Sequence, residues 1–251
     1  MQSLEIFSTP WFLVFCAVLF ASFIRGLAGF GLALILAPIL LLIFNPASMV
    51  VINSLLALLS NILILLRYFA KVNFKRIIPM ALSSLLGIPI GVWIITVIDP
   101  HILKMSIGII IIGFAVPIAI GYHKSFANEK LASSIAGLLS GILSTSTSLG
   151  GPPIVILMHG QYWPKDVIHP SLSAYFMFLC CGSIGALSLA GQVSMEMIKT
   201  AASLTPAMLV GVYLGMIVFN RVNALFFRGI SMGIVICTGS LGIISGLGIF
   251  P

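Results

Sequence analysis

Two stretches rich in glycine and hydroxyl side chains contain the residues of this sequence that are best suited to bind an anion. The first reads Arg25-Gly-Leu-Ala-Gly-Phe-Gly-Leu-Ala33, and the second reads Ser140-Gly-Ile-Leu-Ser-Thr-Ser-Thr-Ser-Leu-Gly-Gly-Pro-Pro153. Glycine permits unusual backbone dihedrals and lets a ligand approach the main chain. A helix that starts after such a stretch presents free N–H groups and a partial positive charge. Each stretch is therefore predicted to interrupt a helix and to offer hydrogen-bond donors to an anion.

The predicted binding residues carry a guanidinium, a hydroxyl, an amide or no side chain. They are Arg25, Gly26, Gly29, Gly31, Asn53, Ser144, Ser146, Thr147, Ser148, Gly150 and Gly151. Pro38, Pro152 and Pro153 are predicted at the helix breaks, since a proline in the first helical turn loses no hydrogen bond. The alternative is that both stretches are packing faces whose hydroxyls bond carbonyls of the preceding turn. The amides of Asn53 and Asn61 are as well suited to join two helices as to donate to an anion.

The composition places these stretches in a membrane protein. Of the 251 residues, 60% are apolar and 7% are charged, against about 45–50% and about 25% in soluble domains. Seventeen charges are too few to cover a water-soluble fold, so the chain is predicted to be an all-α polytopic membrane protein. No metal site and no cofactor is predicted.

Runs without Asp, Glu, Lys or Arg give the number of membrane segments. A helix needs about 20 apolar residues to cross the hydrocarbon layer. The runs 26–66 and 131–164 are too long for one crossing, and splitting them gives about ten segments. No Asp or Glu falls inside a predicted segment, which disfavours a cation channel, a proton antiporter and a metal transporter.

The positions of Lys and Arg predict the orientation, because basic residues concentrate on the cytoplasmic side. If the loop 67–76 is cytoplasmic, ten crossings leave Lys104 and Lys199 outside. Ten basic residues then lie inside: Arg25, Arg67, Lys71, Lys75, Arg76, Lys124, Lys130, Lys165, Arg221 and Arg228. The protein is predicted to lie in the cell membrane with both termini outside the cytoplasm. This asymmetry accounts for the net charge of +7, so no nucleic-acid partner is predicted.

The two halves of the chain read as a repeat. Residues 1–122 form the first membrane repeat, 123–131 a cytoplasmic linker and 132–251 the second membrane repeat. Gly26 stands twelve residues before Pro38, and Gly141 stands twelve before Pro153. Five crossings per half place the second half upside down, with the broken glycine-rich helices at the start of each. Inverted repeats of this kind are typical of secondary transporters, whose substrate binds between the repeats.

The two glycine-rich stretches resemble the openings of the two halves in the TauE/SafE sulfite exporter family, and the resemblance covers essentially the whole chain. It implies a transporter of a small oxyanion such as sulfite or an organosulfonate that lies in the lipid bilayer. Whether the chain forms a homodimer is left open. Because the segments hold no carboxylate, export driven by the membrane potential alone is expected.

Two alternatives belong to other classes. A membrane enzyme requires a nucleophile and a base, for which Ser144 or Ser146 with His159 is the sole candidate pair. That histidine is predicted near the cytoplasmic end, far from the serines. The other alternative is a structural membrane subunit. Transport of substrate by the purified protein in liposomes would exclude this alternative.

Overall fold

The computed structural model describes residues 9–120, 128–161 and 163–218, and these residues are helical with short connections. The first half contains α1 (Thr9–Ala28), α2 (Leu32–Leu41), α3 (Pro46–Tyr68), α4 (Phe74–Val97) and α5 (Pro100–Ile120), with a 3-10 turn (Phe69–Lys71) after α3. The second half contains α6 (Glu129–Thr147), α7 (Gly151–Gly160), α8 (Lys165–Leu189) and α9 (Met195–Val218). The predicted last segment, 229–251, lies outside the described residues. α6 begins inside the predicted linker, three residues before the predicted second repeat.

Asparagine caps set the starts of three helices. The side chain of Asn45 accepts from the N–H of Ser48 at 2.8 Å at the start of α3. Asn73 and Asn128 cap α4 and α6 in the same way. Such a cap satisfies an N–H group that has no partner within the helix, so short polar connections suffice between long apolar helices.

Five of the described helices are long and apolar enough to cross a membrane: α1, α3, α4, α8 and α9. α2 and α7 contain 10 residues each, and at 1.5 Å per residue each extends about 15 Å, half of the hydrocarbon thickness. The predicted breaks therefore separate a long helix from a short one in both halves. The short helices do not cross by themselves.

Contacts at the helix ends show the course of the chain. α1 and α3 both end beside His169: its ring lies 5.7 Å from that of Tyr68, and a methyl group added at Gly29 would lie 3.0 Å from it. α1 and α3 thus run in the same direction, and α2 runs back between them. α6 ends beside the first part of α3, where Asn53 Nδ2 donates to Ser148 Oγ at 2.9 Å. α1 and α6 therefore point in opposite directions.

Glycines allow the closest crossings, which join α1 to α9 and α4 to α6. A Cβ atom at Gly26 would overlap the carbonyl oxygen of Val212, and one at Gly141 would overlap that of Ser84. Small residues at such crossings let two helix backbones approach closely. Each long helix that ends at a break is thereby held against a helix of the other half.

The helix ends of the two halves are separated by one constant offset. α1 ends at residue 28 and α6 at residue 147, 119 positions later, and the starts of α2 and α7 and of α3 and α8 differ by the same number. This offset pairs Gly31 with Gly150, and it differs by four residues from the predicted match of Gly26 with Gly141. Four residues are close to one helical turn, so small residues on one helix face still coincide after the shift.

Candidate functional site

Left-handed backbone conformations occur at both helix breaks, at two residues of the first and at one of the second. Gly29 and Gly31 have φ values of 78° and 103°, in the left-handed region that glycine adopts without strain. Ser148, which lies 119 residues after Gly29, has φ 64° and is the one non-glycine residue with positive φ among those described. The second break is also held by Ser140 Oγ, which donates to the carbonyl oxygen of Gly150 at 2.6 Å. At each break the chain thus turns within three residues.

A cavity of about 40 Å³ lies between the two breaks, which is space for a few water molecules. Seven of the predicted binding and break residues line it: Arg25, Gly31, Ser144, Ser148, Gly150, Gly151 and Pro152. The two glycine-rich stretches, which are distant in sequence, therefore meet at one cavity.

Arg25 is the charged residue of this cavity. It lies in the last turn of α1 with 4% of its surface exposed. One Nη atom donates to Asn61 Oδ1, the guanidinium carbon lies 5.6 Å from the ring centre of Phe176, and Nε has no hydrogen-bond partner among the described residues. The sequence predicts Arg25 on the cytoplasmic side, and the fold places it within α1, buried inside the helix bundle. Its charge is held by an amide and an aromatic ring.

No carboxylate neutralises Arg25 within the described ranges. The ion pair found there joins Arg76 to Glu129 at 3.3 Å, at the starts of α4 and α6. The same ranges hold no group of three His, Cys, Asp or Glu side chains placed to bind a metal ion. A buried guanidinium without a counter-charge is unfavourable, and an anion in the cavity would supply that charge.

The start of α2 adds hydrogen-bond donors to the cavity wall. The first backbone bond of this helix runs from Ile35 N–H to the Gly31 carbonyl, and no side chain caps the helix. The N–H groups of Leu32, Ala33 and Leu34 therefore have no partner within the helix, and these three residues line the cavity. α7 offers fewer donors, because its second and third residues are prolines. The two helix starts are consequently unequal as anion sites.

The structure places several predicted binding residues outside the cavity wall. Ser146 Oγ donates to the Ile142 carbonyl and Thr147 Oγ1 to the Leu143 carbonyl, both at 2.7 Å, as the packing alternative expects. Asn53 reaches the site through Ser148. Gly26 and Gly29 lie against α9 and α8 instead.

The predicted break prolines have different positions. Pro152 and Pro153 lie in the first turn of α7, where the missing N–H costs no hydrogen bond. Pro38 does not mark a break, since it lies within α2 and is buried. The turn before α2 is made by Gly29 and Gly31, so the helix has already started six residues before Pro38.

Four residues of α3 and α8 also line the cavity without having been predicted: Ser54, Ala57, Phe176 and Cys180. Their side chains are ordinary for membrane helices, and no spacing distinguishes them. Asn61 was predicted as a donor or a helix-joining residue, and it joins α3 to α1 through Arg25.

One comparison with known proteins gives a match. The family model described as sulfite exporter TauE/SafE matches residues 14–241, which include both breaks and the cavity. No curated protein and no solved structure matches the chain.

Proposed function

Since the chain belongs to the sulfite exporter TauE/SafE family, we propose that it exports a small oxyanion, such as sulfite or an organosulfonate, which binds between the two helix breaks. The family is one of membrane transporters and not of enzymes. The chain is accordingly an integral membrane protein that transports small anions.

The observation that carries the proposed site is the burial of Arg25 without a carboxylate partner in the described residues. An anion about 4 Å from the guanidinium gains about 4 kcal/mol at an effective dielectric constant of about 20. The free N–H groups at the start of α2 add charge-assisted hydrogen bonds. A cavity of about 40 Å³ favours a compact oxyanion over a sulfonate with a long side chain.

The membrane potential is the proposed driving force. An anion that leaves a negative interior gains about 2.3 kcal/mol per charge per 100 mV, and about 1.4 kcal/mol corresponds to a tenfold concentration ratio. The four carboxylates in the described ranges, Asp99, Glu129, Asp166 and Glu196, lie at or beside helix ends. Coupling to a proton or a sodium ion through an interior carboxylate is therefore not part of the proposal.

We also propose that the two halves form an inverted repeat of five segments each in the cell membrane, with both termini outside the cytoplasm. The opposite directions of α1 and α6 support this arrangement. So does the exchange of partners, in which α1 packs on α9 and α6 on α4. The Arg76–Glu129 pair brings the starts of α4 and α6 to one end of the bundle. We assign this end to the cytoplasm because the side that contains Arg76 is predicted to carry most of the basic residues.

The test is efflux of labelled sulfite from proteoliposomes under an imposed potential, without a pH or sodium gradient. We expect efflux by the wild type to follow the potential and Arg25→Gln to abolish it. Arg67→Gln is the matched control: Arg67 also lies over an aromatic ring, 5.8 Å from that of Tyr68, but it is exposed and far from the cavity. Efflux that ignores the potential and follows a proton gradient would contradict the driving force, and equal loss in both variants would contradict the site.

A further inference from the structure

The charge of the cavity wall is a single positive charge. Arg25 is the one charged side chain among the described residues that line the cavity. The wall around it consists of apolar side chains, hydroxyls, backbone and the thiol of Cys180. Asn61 Oδ1 accepts from one Nη of Arg25 and leaves Nε without a partner among those residues. Arg25 can therefore balance one negative charge and no more.

This count determines how the site treats anions of different charge. A monoanion bound beside Arg25 gives a neutral complex in a cavity with space for a few water molecules, whereas a dianion leaves one negative charge uncompensated. The start of α2 contributes about half a positive charge at most, which does not balance the second charge. Burial of an unpaired charge is costly in such surroundings.

We propose that this site selects singly charged oxyanions, such as hydrogensulfite or a small sulfonate, and rejects doubly charged ones such as the sulfite dianion and sulfate. The inference rests on the proposed function, since it concerns the same cavity. Each hydrogensulfite that leaves carries its own proton. No proton-binding group on the protein is required for that proton to cross.

Two pairs of anions separate charge from shape. Chlorate and the sulfite dianion are both pyramidal, and perchlorate and sulfate are both tetrahedral, but the first member of each pair has one charge and the second has two. We would measure their affinities by calorimetry with the purified full-length protein in nanodiscs, at an alkaline pH where sulfite is a dianion. The monoanion of each pair should bind at least about tenfold more tightly, a difference of about 1.4 kcal/mol.

A pH series on one ligand removes the influence of hydration, which differs between chlorate and sulfite. Above neutral pH the affinity for total sulfite should fall about tenfold per pH unit, because it follows the fraction of the binding species. The affinity for chlorate should stay constant, and this comparison also reports any titration of Cys180, the other titratable residue in the described wall. Arg25→Gln should lose the preference and Arg67→Gln should keep it.

Two results would overturn the inference, and they differ in what else they affect. If the dianions bind as tightly as their partners, or if sulfite affinity does not change with pH, charge selection is wrong while the proposed function stands. If the wild type binds none of the four anions in a way that depends on Arg25, the proposed function fails together with the inference.

Discussion

Replacement of Arg25 by glutamine should have opposite effects on stability and on binding. The guanidinium is buried without a counter-charge among the described residues, and burial of an ion costs several kcal/mol. Its bond to Asn61 returns about 1.5–3 kcal/mol, and its position over Phe176 about 2 kcal/mol. Glutamine removes the charge and, although its side chain is shorter, keeps an N–H donor in the same region of the bundle. The anion-free variant should therefore be at least as stable as the wild type.

The effect on binding follows from the same charge. Loss of about 4 kcal/mol of attraction at about 4 Å corresponds to nearly three orders of magnitude in affinity. A ligand at 100 times its dissociation constant stabilises the protein by about 2.7 kcal/mol. Sulfite at that concentration should raise the melting temperature of the wild type and leave that of Arg25→Gln unchanged.

The assay is thermal unfolding of both purified proteins in detergent, with and without sulfite, and Arg67→Gln serves as the control for the loss of one positive charge. If Arg25→Gln unfolds well below the anion-free wild type, Arg25 is a structural group whose charge is already compensated. A sulfite-induced shift that persists in the variant would place the bound anion elsewhere.

Three further substitutions, the first with a matched control, test the breaks and crossings. Gly141→Ala should destabilise the protein by about 1–3 kcal/mol in thermal unfolding, because the added methyl overpacks the crossing of α6 with α4. Gly185→Ala is the control: nothing lies within 4 Å of the added methyl, so this variant should be neutral or stabilising. Gly31→Ala should lower the stability by about 1–3 kcal/mol because of backbone strain at φ 103°. It should also weaken sulfite binding measured by calorimetry. If the variant binds sulfite as tightly as the wild type, the start of α2 has no role in binding. Ser146→Ala should leave sulfite affinity unchanged, since its hydroxyl already donates to a carbonyl; a weakened variant would restore Ser146 to the site.

The positions of the breaks could be predicted because glycine has a specific backbone property. The stretch from Gly29 to Gly31 turns through left-handed conformations, and the corresponding turn at Ser148 follows a run of hydroxyl residues. The length of each short helix could not be predicted, since an apolar run does not show where it reverses direction. The reversal depends on tertiary contacts such as that between Gly29 and His169.

The role of Arg25 could be predicted only in part. Its position beside a glycine-rich stretch indicated an anion site, yet a lone arginine next to an apolar run is also typical of a cytoplasmic loop. Its burial depends on Asn61 and Phe176, which lie 36 and 151 residues away along the chain. Asn61 is marked as an amide within an apolar segment but not as a partner of Arg25, and Phe176 has no sequence feature that marks it. The TauE/SafE resemblance, which depends on the order of the glycine-rich stretches and not on these contacts, is confirmed.

The central claim is that an oxyanion binds between the two breaks beside Arg25. The most direct measurement is the structure of the protein with bromate, a singly charged oxyanion whose bromine is located by anomalous scattering. We predict one bromine site in this cavity, with a bromate oxygen about 3 Å from Arg25 Nε and from an N–H group at the start of α2. An empty cavity with bromate bound at another site, in protein that transports bromate, would contradict the account.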